Sequence, residues 1–258
     1  MNPAFSNILV FLAFITTMMK IHKLIVILLL IPFSLLAQKD KPWNKPLYDA
    51  YPFHFGFAFT GGVLDFSVTH SDAFVAQDSI RSIEGKSRFL FGASIVGSLR
   101  LTDNLDLRFL PGLYFGQRDL EYLVRKNILP NSSGDEGYTF HTMKIESTFL
   151  QFPLLLKYRS SRQNNYRPYL VGGLNYTIDL AARKKIKEEE QPKIRLNRND
   201  LLVEMGFGID YYLPFFKFTT EWRFSYGLMN MVTYDNTGYT ESFNRLGTKM
   251  VTMIIYFE

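Results

Sequence analysis

The sequence predicts an all-β protein: an eight-stranded antiparallel transmembrane β-barrel with short turns at one end and long loops at the other. Three observations predict it. Eight segments between residues 53 and 257 alternate apolar and polar side chains with period two. The connections between them alternate in length. The composition favours strands and membrane interfaces, with 24 Phe and 15 Tyr among 258 residues.

The first 37 residues have the layout of a secretion signal. Lys20 and Lys23 form a basic region, residues 24–36 are apolar, and Ala37 is a small residue before a candidate cleavage point. Such a signal directs a chain out of the cytoplasm. The location expected for the mature protein is therefore the cell envelope, and for a barrel of this kind the bacterial outer membrane.

The natural start favoured by this layout is Met19, because residues 19–37 form a complete signal peptide by themselves. An uncleaved N-terminal anchor helix is the alternative, although the apolar run from residue 24 is shorter than the ~20 residues of a full span. We expect residues 1–37 to be the signal peptide, 38–52 a periplasmic N-terminal arm, and 53–258 the barrel.

Charge, cysteine content and hydropathy exclude other classes of protein. Without residues 1–37 the chain keeps 27 basic and 24 acidic residues, and this net charge of +3 is too balanced to favour nucleic-acid binding. The chain has no cysteine, which excludes disulfides and thiolate chemistry. After the first forty residues no apolar stretch reaches the ~18 residues of a membrane helix, which excludes a helical membrane protein for the main body.

The alternation is clearest in the seventh segment, residues 216–228. One face is polar and charged, and the other is almost wholly apolar. We predict that the apolar face contacts outer-membrane lipid through Phe216, Phe218, Trp222, Phe224 and Tyr226. The same pattern recurs in the second, third, fourth, sixth and eighth segments, at 88–101, 105–116, 150–159, 201–212 and 251–257.

In the first and fifth segments the apolar phase changes along the strand. In the first, Phe residues at odd positions precede Gly61-Gly62, and Leu64, Phe66 and Val68 follow at even positions. The fifth changes in the same way around Gly172-Gly173. One extra residue at each glycine pair would produce this change, so we predict a β-bulge at both places.

The lengths of the connections are the second independent signal. Three are turn-like, at 102–104, 160–165 and 213–215, and four are long and polar, at about 70–87, 118–142, 181–199 and 229–247. An even number of strands with short turns on one side and long loops on the other is typical of bacterial outer-membrane barrels, whose turns are periplasmic and whose loops are extracellular.

A soluble β-sandwich also alternates and is the main structural alternative. Three features favour the barrel over it. The segments run to about 12 residues or more, whereas soluble strands usually have 5 or 6 and a tilted membrane strand needs ~9 to 11. The signal peptide gives access to the envelope. The aromatic Phe257 near the end of the last strand resembles the C-terminal signature of outer-membrane barrels.

An eight-stranded barrel has a lumen that side chains fill, and here the inward set carries both charge signs. Buried charges must pair, because an isolated one costs several kcal/mol. We therefore predict an interior network of ion pairs and hydrogen bonds that forms a plug rather than a pore. Its members are Asp65, Arg100, Asp106, Arg108, Lys157, Arg159, Asp179, Glu204, Asp210, Glu221 and Arg223.

Three other motifs are weak candidates for catalytic, metal-binding or phosphate-binding sites. His70-Ser71-Asp72 contains the residue types of a hydrolytic site, but neighbours in one loop do not make a triad, which is assembled in space. No histidine pair has metal-ligand spacing. The basic run 183–187 could bind lipid phosphates, but the acidic triplet 188–190 cancels most of its field. We therefore expect no catalytic, cofactor-binding or metal-binding residues.

Three segments resemble a known family. The segment KPLYDAYPFHFGF at 45–57, continuing to Leu64-Asp65-Phe66, resembles the opening of PorT-like (SprT-like) outer-membrane proteins. LQFPLLLKYR at 150–159 and RPYLVGG at 167–173 resemble them as well, but are shared by a broader family of envelope barrels. The resemblance covers essentially the mature chain; the extension before Met19 departs from it.

The resemblance implies a non-enzymatic component of the type IX secretion system, which exports proteins and supports gliding motility in some bacteria. The implied partners are other envelope proteins of that system. Two alternatives stay open. One is a structural or adhesive barrel unrelated to secretion, and the weaker one is an outer-membrane lipid-modifying enzyme.

Overall fold

The structure is a computed structural model that describes residues 42–71, 80–125, 137–183, 194–233 and 242–258. The predicted signal peptide lies outside the described residues. By its contacts the chain divides after Trp43, and the unit Asn44–Glu258 contains all the described strands.

The described residues form one antiparallel sheet of ten strands that closes on itself. The strands are β1 Phe53–His70, β2 Ile80–Lys86, β3 Arg88–Arg100, β4 Leu105–Phe109, β5 Gly112–Arg125, β6 Tyr138–Arg159, β7 Tyr166–Asp179, β8 Asn199–Tyr212, β9 Lys217–Gly227 and β10 Phe243–Phe257. The first strand pairs with β3 on one edge and with β10 on the other. This pairing closes the barrel and confirms the predicted fold class.

The ten strands occupy eight positions in the barrel wall. Along the third position, β4 and β5 pair with β3 in one continuous register, and the gap between them is Leu110-Pro111. Proline has no N–H to donate, so the ladder is interrupted there. Along the second position, β2 and β3 are separated by Ser87, and the register against β5 shifts by one residue. Ser87 is therefore a bulge.

The two bulges predicted at glycine pairs are wrong. The register of β1 against β10 is unbroken from Phe57 to Thr69 and passes straight through Gly61-Gly62. The register of β7 against β6 and β8 is likewise unbroken through Gly172-Gly173. In β1 the apolar residues therefore change from the outer to the inner face of a regular strand. In β7 they change from the inner face, at Tyr169 and Val171, to the outer face, at Leu174 and Tyr176, and neither strand has an inserted residue.

The reason for the change in β1 is a second core. At the loop end, Leu64 and Phe66 point inward, and Phe66 belongs to a buried apolar cluster that fills the barrel there. The cluster contains Phe66, Ile80, Ile83, Leu120, Tyr122, Val124, Met143, Ile145, Ile194, Leu196, Met231, Val232, Phe243 and Leu246. Nearer the turns, the same strand exposes Phe53, Phe55, Phe57 and Phe59 on the outside.

The glycine pairs serve close packing between strands. A methyl group on Gly62 would overlap the Val251 carbonyl oxygen and lie 2.8 Å from the Cα of Thr252, whereas one on Gly61 would meet only the Phe89 ring at 3.9 Å. We expect Gly62→Ala to destabilise the barrel by about 1 to 3 kcal/mol through overpacking, and Gly61→Ala to be neutral. Equal shifts in the thermal midpoint of the two variants would contradict this explanation.

Three of the predicted long loops are partly strand. The interval 70–87 contains β2, and in the interval 118–142 the ladder between β5 and β6 continues to Arg125 opposite Tyr138. In the interval 229–247, β10 begins at Phe243. With 22 residues, β6 is about twice as long as a membrane strand needs to be. No helix in the described ranges is long and apolar enough to cross a membrane.

Candidate functional site: the filled barrel interior

Most of the predicted interior charges are buried in the lumen. The buried residues of that set are Asp106, Arg108, Lys157, Arg159, Asp179, Glu204, Asp210, Glu221 and Arg223. Their positions follow from strand parity: odd-numbered residues of β6, β7 and β9 and even-numbered residues of β4, β5, β8 and β10 point inward. The regular alternation of each strand therefore collects charges that are far apart in sequence.

Glu221 is the centre of the main network. One oxygen, Oε1, accepts from Arg223 Nε at 2.9 Å and from the Tyr256 hydroxyl at 2.9 Å. The other, Oε2, accepts from the Tyr169 hydroxyl at 2.6 Å and pairs with Arg108 Nη1 at 3.4 Å. A buried carboxylate with four donors has its lone pairs satisfied, which is the condition for burying a charge without a large penalty.

The network continues through Arg223 to a second carboxylate. Arg223 Nη1 pairs with Glu204 Oε2 at 3.1 Å. The other oxygen of Glu204 accepts from the Asn175 amide and the Ser225 hydroxyl, each at 2.9 Å. Arg223 thus joins two carboxylates on neighbouring strands, and each of them has further donors of its own.

A second group of charges lies nearer the turns. Lys157 Nζ donates to both oxygens of Asp210 at 2.7 and 2.8 Å and stands 3.7 Å from the Tyr169 ring centroid. Lys217 forms an ion pair with Glu258, whose other oxygen lies 3.3 Å from Arg108 Nη2. Arg108 therefore connects this group to the Glu221 network.

At the turn end, the segment before β1 caps the lumen. Residues Tyr48–Ala50 form one 3-10 turn. The Asp49 carboxylate accepts from the Tyr212 hydroxyl at 2.8 Å and lies 3.4 to 3.6 Å from three guanidinium groups, those of Arg159, Arg162 and Arg167. Arg159 also pairs with Asp106 at 2.9 Å.

Tyr48 completes this cap. Its ring stacks on His54 at 4.2 Å and lies 4.9 Å from Lys217 Nζ. Burial raises the pKa of Tyr48 to about 12, because the charged phenolate would lose its hydration. The ring is therefore neutral at physiological pH, and its contact with Lys217 is a cation–π interaction.

Two predicted members of the network lie elsewhere. Asp65 is on the outer face of β1, since its neighbours Leu64 and Phe66 point inward; the predicted bulge gives it the wrong parity. Arg100 is at the turn end and only partly buried, where it pairs with Asp103 and donates to the carbonyl oxygen of Asp49. It therefore holds a turn and the cap together and does not belong to the central network.

Several charged residues of the interior were not predicted from the sequence. They are Asp49, Arg118, Arg167, Asp200, Lys217 and Glu258. Arg118 pairs with Asp179 at 3.6 Å and donates to Thr248 at 3.0 Å. Lys217 already lies on the polar face of the seventh segment, so parity alone places it in the lumen, and parity would also have found Arg118 if the third segment had been extended by two residues. No pattern in the sequence shows that Asp49 folds back under the barrel.

The outer face between the turns and the apolar cluster is largely apolar. The five side chains predicted to contact lipid all point outward from β9 or the turn before it: Phe216, Phe218, Trp222, Phe224 and Tyr226. Exposed aromatic and aliphatic side chains continue around the barrel on β1, β3, β4, β5, β6, β7, β8 and β10. We call this surface the apolar band.

The His70-Ser71-Asp72 motif and the charged run at 183–190 are not part of a site among the residues that the structure describes. His70 ends β1, with Nε2 3.2 Å from the Ile83 carbonyl oxygen, and Asp72 lies outside the described residues. Residues 184–190 of the charged run lie outside them as well. Within the described ranges, no cluster of His, Asp and Glu has the arrangement of a metal site.

A closed antiparallel barrel with an apolar band outside and paired charges inside defines the class of outer-membrane barrels. The chain belongs to the outer membrane protein beta-barrel domain family, whose model matches residues 36–233. It is thus a protein of the bacterial outer membrane, as predicted.

Solved structures with a similar course of the chain include two outer-membrane barrels. OprG from Pseudomonas aeruginosa is 16% identical with a TM-score of 0.39, and the match covers 78% of this chain and 92% of OprG. Neisserial surface protein A is 12% identical with a TM-score of 0.41, and the match covers 80% of this chain and 97% of that protein. No curated protein matches the chain in sequence.

Proposed function

We propose that this protein is a non-enzymatic outer-membrane component of the type IX secretion machinery and acts through protein partners. The motifs at 45–57, 150–159 and 167–173 support the specific assignment, because they resemble those of PorT-like proteins. Membership of the broader barrel family is compatible with it.

The observation that carries the proposal is the filled interior. The turn end is capped by the Asp49 segment, the middle is occupied by the Glu221 network, and the loop end is filled by the apolar cluster. A lumen filled at three levels favours action through surfaces over conduction of a substrate.

The turn end offers one such surface. Leu47, Tyr51 and Phe215 are 60 to 89% exposed there, next to the docked cap. Exposed large apolar side chains at one end of a folded unit are typical of contact with lipid headgroups or with another protein. In our proposal this surface contacts a periplasmic or membrane partner of the machinery.

Deletion of the gene tests the proposed function. We expect proteins destined for secretion to accumulate in the periplasm, and the native gene supplied in trans to restore their release. A variant with Leu47, Tyr51 and Phe215 changed to Ser should insert normally and yet fail to restore secretion. Normal secretion in the deletion strain would contradict the proposal, and loss of surface attachment alone would favour the adhesive alternative.

The enzymatic alternative has its own test. We expect His70→Ala combined with Ser71→Ala to leave secretion unchanged in the complemented strain, because neither side chain belongs to the lumen networks. Analysis of the lipids of the deletion strain should show no altered acyl chain or headgroup. A lipid change that the native gene reverses and the double variant does not would assign catalysis to this loop.

A further inference from the structure

Two cations lie on the outer face of β10 where the apolar band ends. Lys249 stands opposite Tyr226 of β9 and Asp65 of β1. One step nearer the turns, about 7 Å along the strand, the same three strands carry the apolar side chains Val251, Phe224 and Val63. The surface thus changes from apolar to charged within a single step of the ladder.

The second cation, Arg245, turns towards the first. Between them on the outer face is Gly247, which has no side chain, and a methyl group there would lie 3.9 Å from Arg245 Nη2. The guanidinium extends along the strand, donates to the Gly227 carbonyl oxygen at 2.5 Å and lies 5.5 Å from the Tyr226 ring centroid. Arg245 and Lys249 therefore flank the same tyrosine.

Neither cation has an ion-pair partner among the described residues. The nearest carboxylate along the ladder is Asp65, whose Oδ1 accepts the Phe66 N–H at 2.7 Å. Other cations at the same height are neutralised, since Lys86 pairs with Glu121 and Arg88 with Asp119. Two like charges therefore flank one tyrosine, and neither is in ion-pair contact with a carboxylate of the described residues, although Asp65 lies opposite Lys249 in the ladder.

We propose that Arg245, Lys249 and the Tyr226 hydroxyl bind the phosphate of a lipid headgroup. Phosphate oxygens accept strong charge-assisted hydrogen bonds from guanidinium and ammonium groups. A lipid, rather than free phosphate, fits the position, because its acyl chains would lie along the apolar band at Val251 and Phe224 while its headgroup reaches the cations. The site is on the outside of the barrel and is independent of the proposed function.

Native mass spectrometry of the purified full chain in detergent tests the site. The probes are phosphatidic acid and phosphatidylcholine with the same acyl chains, and inorganic phosphate as a competitor. Each cation near a lipid surface contributes about fivefold in affinity. We expect the native protein to retain phosphatidic acid in preference to phosphatidylcholine, and Arg245→Gln with Lys249→Gln to lower that retention about twenty-fivefold.

Three matched variants complete the test. Lys86→Gln removes a cation that is also exposed but is paired, and it should retain the lipid. Lys249→Arg keeps the charge and should also retain it, and Lys249→Gln alone should show a partial loss if the double variant folds poorly. Unchanged retention in both Gln variants, or an equal loss in Lys86→Gln, would overturn the site. Displacement of the lipid by equimolar inorganic phosphate would overturn the lipid as its ligand.

Discussion

Replacing Arg223 with Leu should destabilise the barrel by about 3 to 5 kcal/mol, the cost of breaking a buried ion pair from one side. Arg223 touches both Glu221 and Glu204, and all three side chains are buried in the lumen. The leucine would leave two carboxylates close together without the cation between them. Electrophoresis of samples heated to graded temperatures measures the effect, because a folded barrel and the unfolded chain migrate differently.

The matched control for this variant is Arg198→Leu. Arg198 is an exposed arginine in the segment before β8. Its replacement by Leu should alter the free energy of unfolding by no more than about 0.5 kcal/mol. A double variant, Arg223→Leu with Glu221→Leu, should recover part of the loss, because it removes one of the two carboxylates that lost the Arg223 cation. If the Arg223→Leu and Arg198→Leu variants unfolded at the same temperature, the interior network would not stabilise the fold.

Replacing Asp49 with Asn should release the cap at the turn end. The carboxylate faces three guanidinium groups and accepts one hydroxyl, and a neutral amide keeps its size without its charge. Hydrogen bonds to charged groups contribute about 1.5 to 3 kcal/mol. The form in which the cap is detached from the barrel should therefore become at least about tenfold more populated. Chymotrypsin should then cleave after Tyr48, which the docked cap keeps partly buried, at a correspondingly higher rate.

Asp103→Asn is the control for this prediction. Its carboxylate is at the same end of the barrel, is 85% exposed and, among the residues that the structure describes, pairs only with Arg100. Exposed pairs contribute 0 to about 1 kcal/mol, so cleavage after Tyr48 should stay slow. Equal cleavage of the native protein and the Asp49→Asn variant would mean that the cap is held by its other contacts, such as the stacking of Tyr48 on His54.

The glycine pairs mark a limit of prediction from the sequence. A change of apolar phase at Gly61-Gly62 has two explanations, an inserted residue or an environment that inverts along the strand. An inserted residue would place Asp65 in the lumen, whereas it lies on the outer face. The unbroken register shows that the environment inverts instead: Phe57 and Phe59 face outward in the apolar band, and beyond the glycines Leu64 and Phe66 face the barrel interior.

This inversion follows from the solvent on each side of the wall. Where the outside of a barrel is hydrocarbon, apolar residues are stable outside and polar ones fill the lumen; where the outside is water, the arrangement reverses. The strands β5 and β6 continue well past the length needed to cross the bilayer. Their outer part therefore has the apolar interior of a soluble β-protein.

Period-two alternation and the alternating lengths of the connections were enough to predict the closed eight-position barrel, its outward aromatic side chains on β9, and most of the charges in its lumen. These features are local, because the alternation of polar and apolar residues within one strand shows which of its residues face inward. The partners of the charges, the cap around Asp49 and the apolar cluster at the loop end depend on which strands become neighbours after closure. Closure brings Arg108 to Glu221 across 113 residues of chain, and no local pattern carries that information.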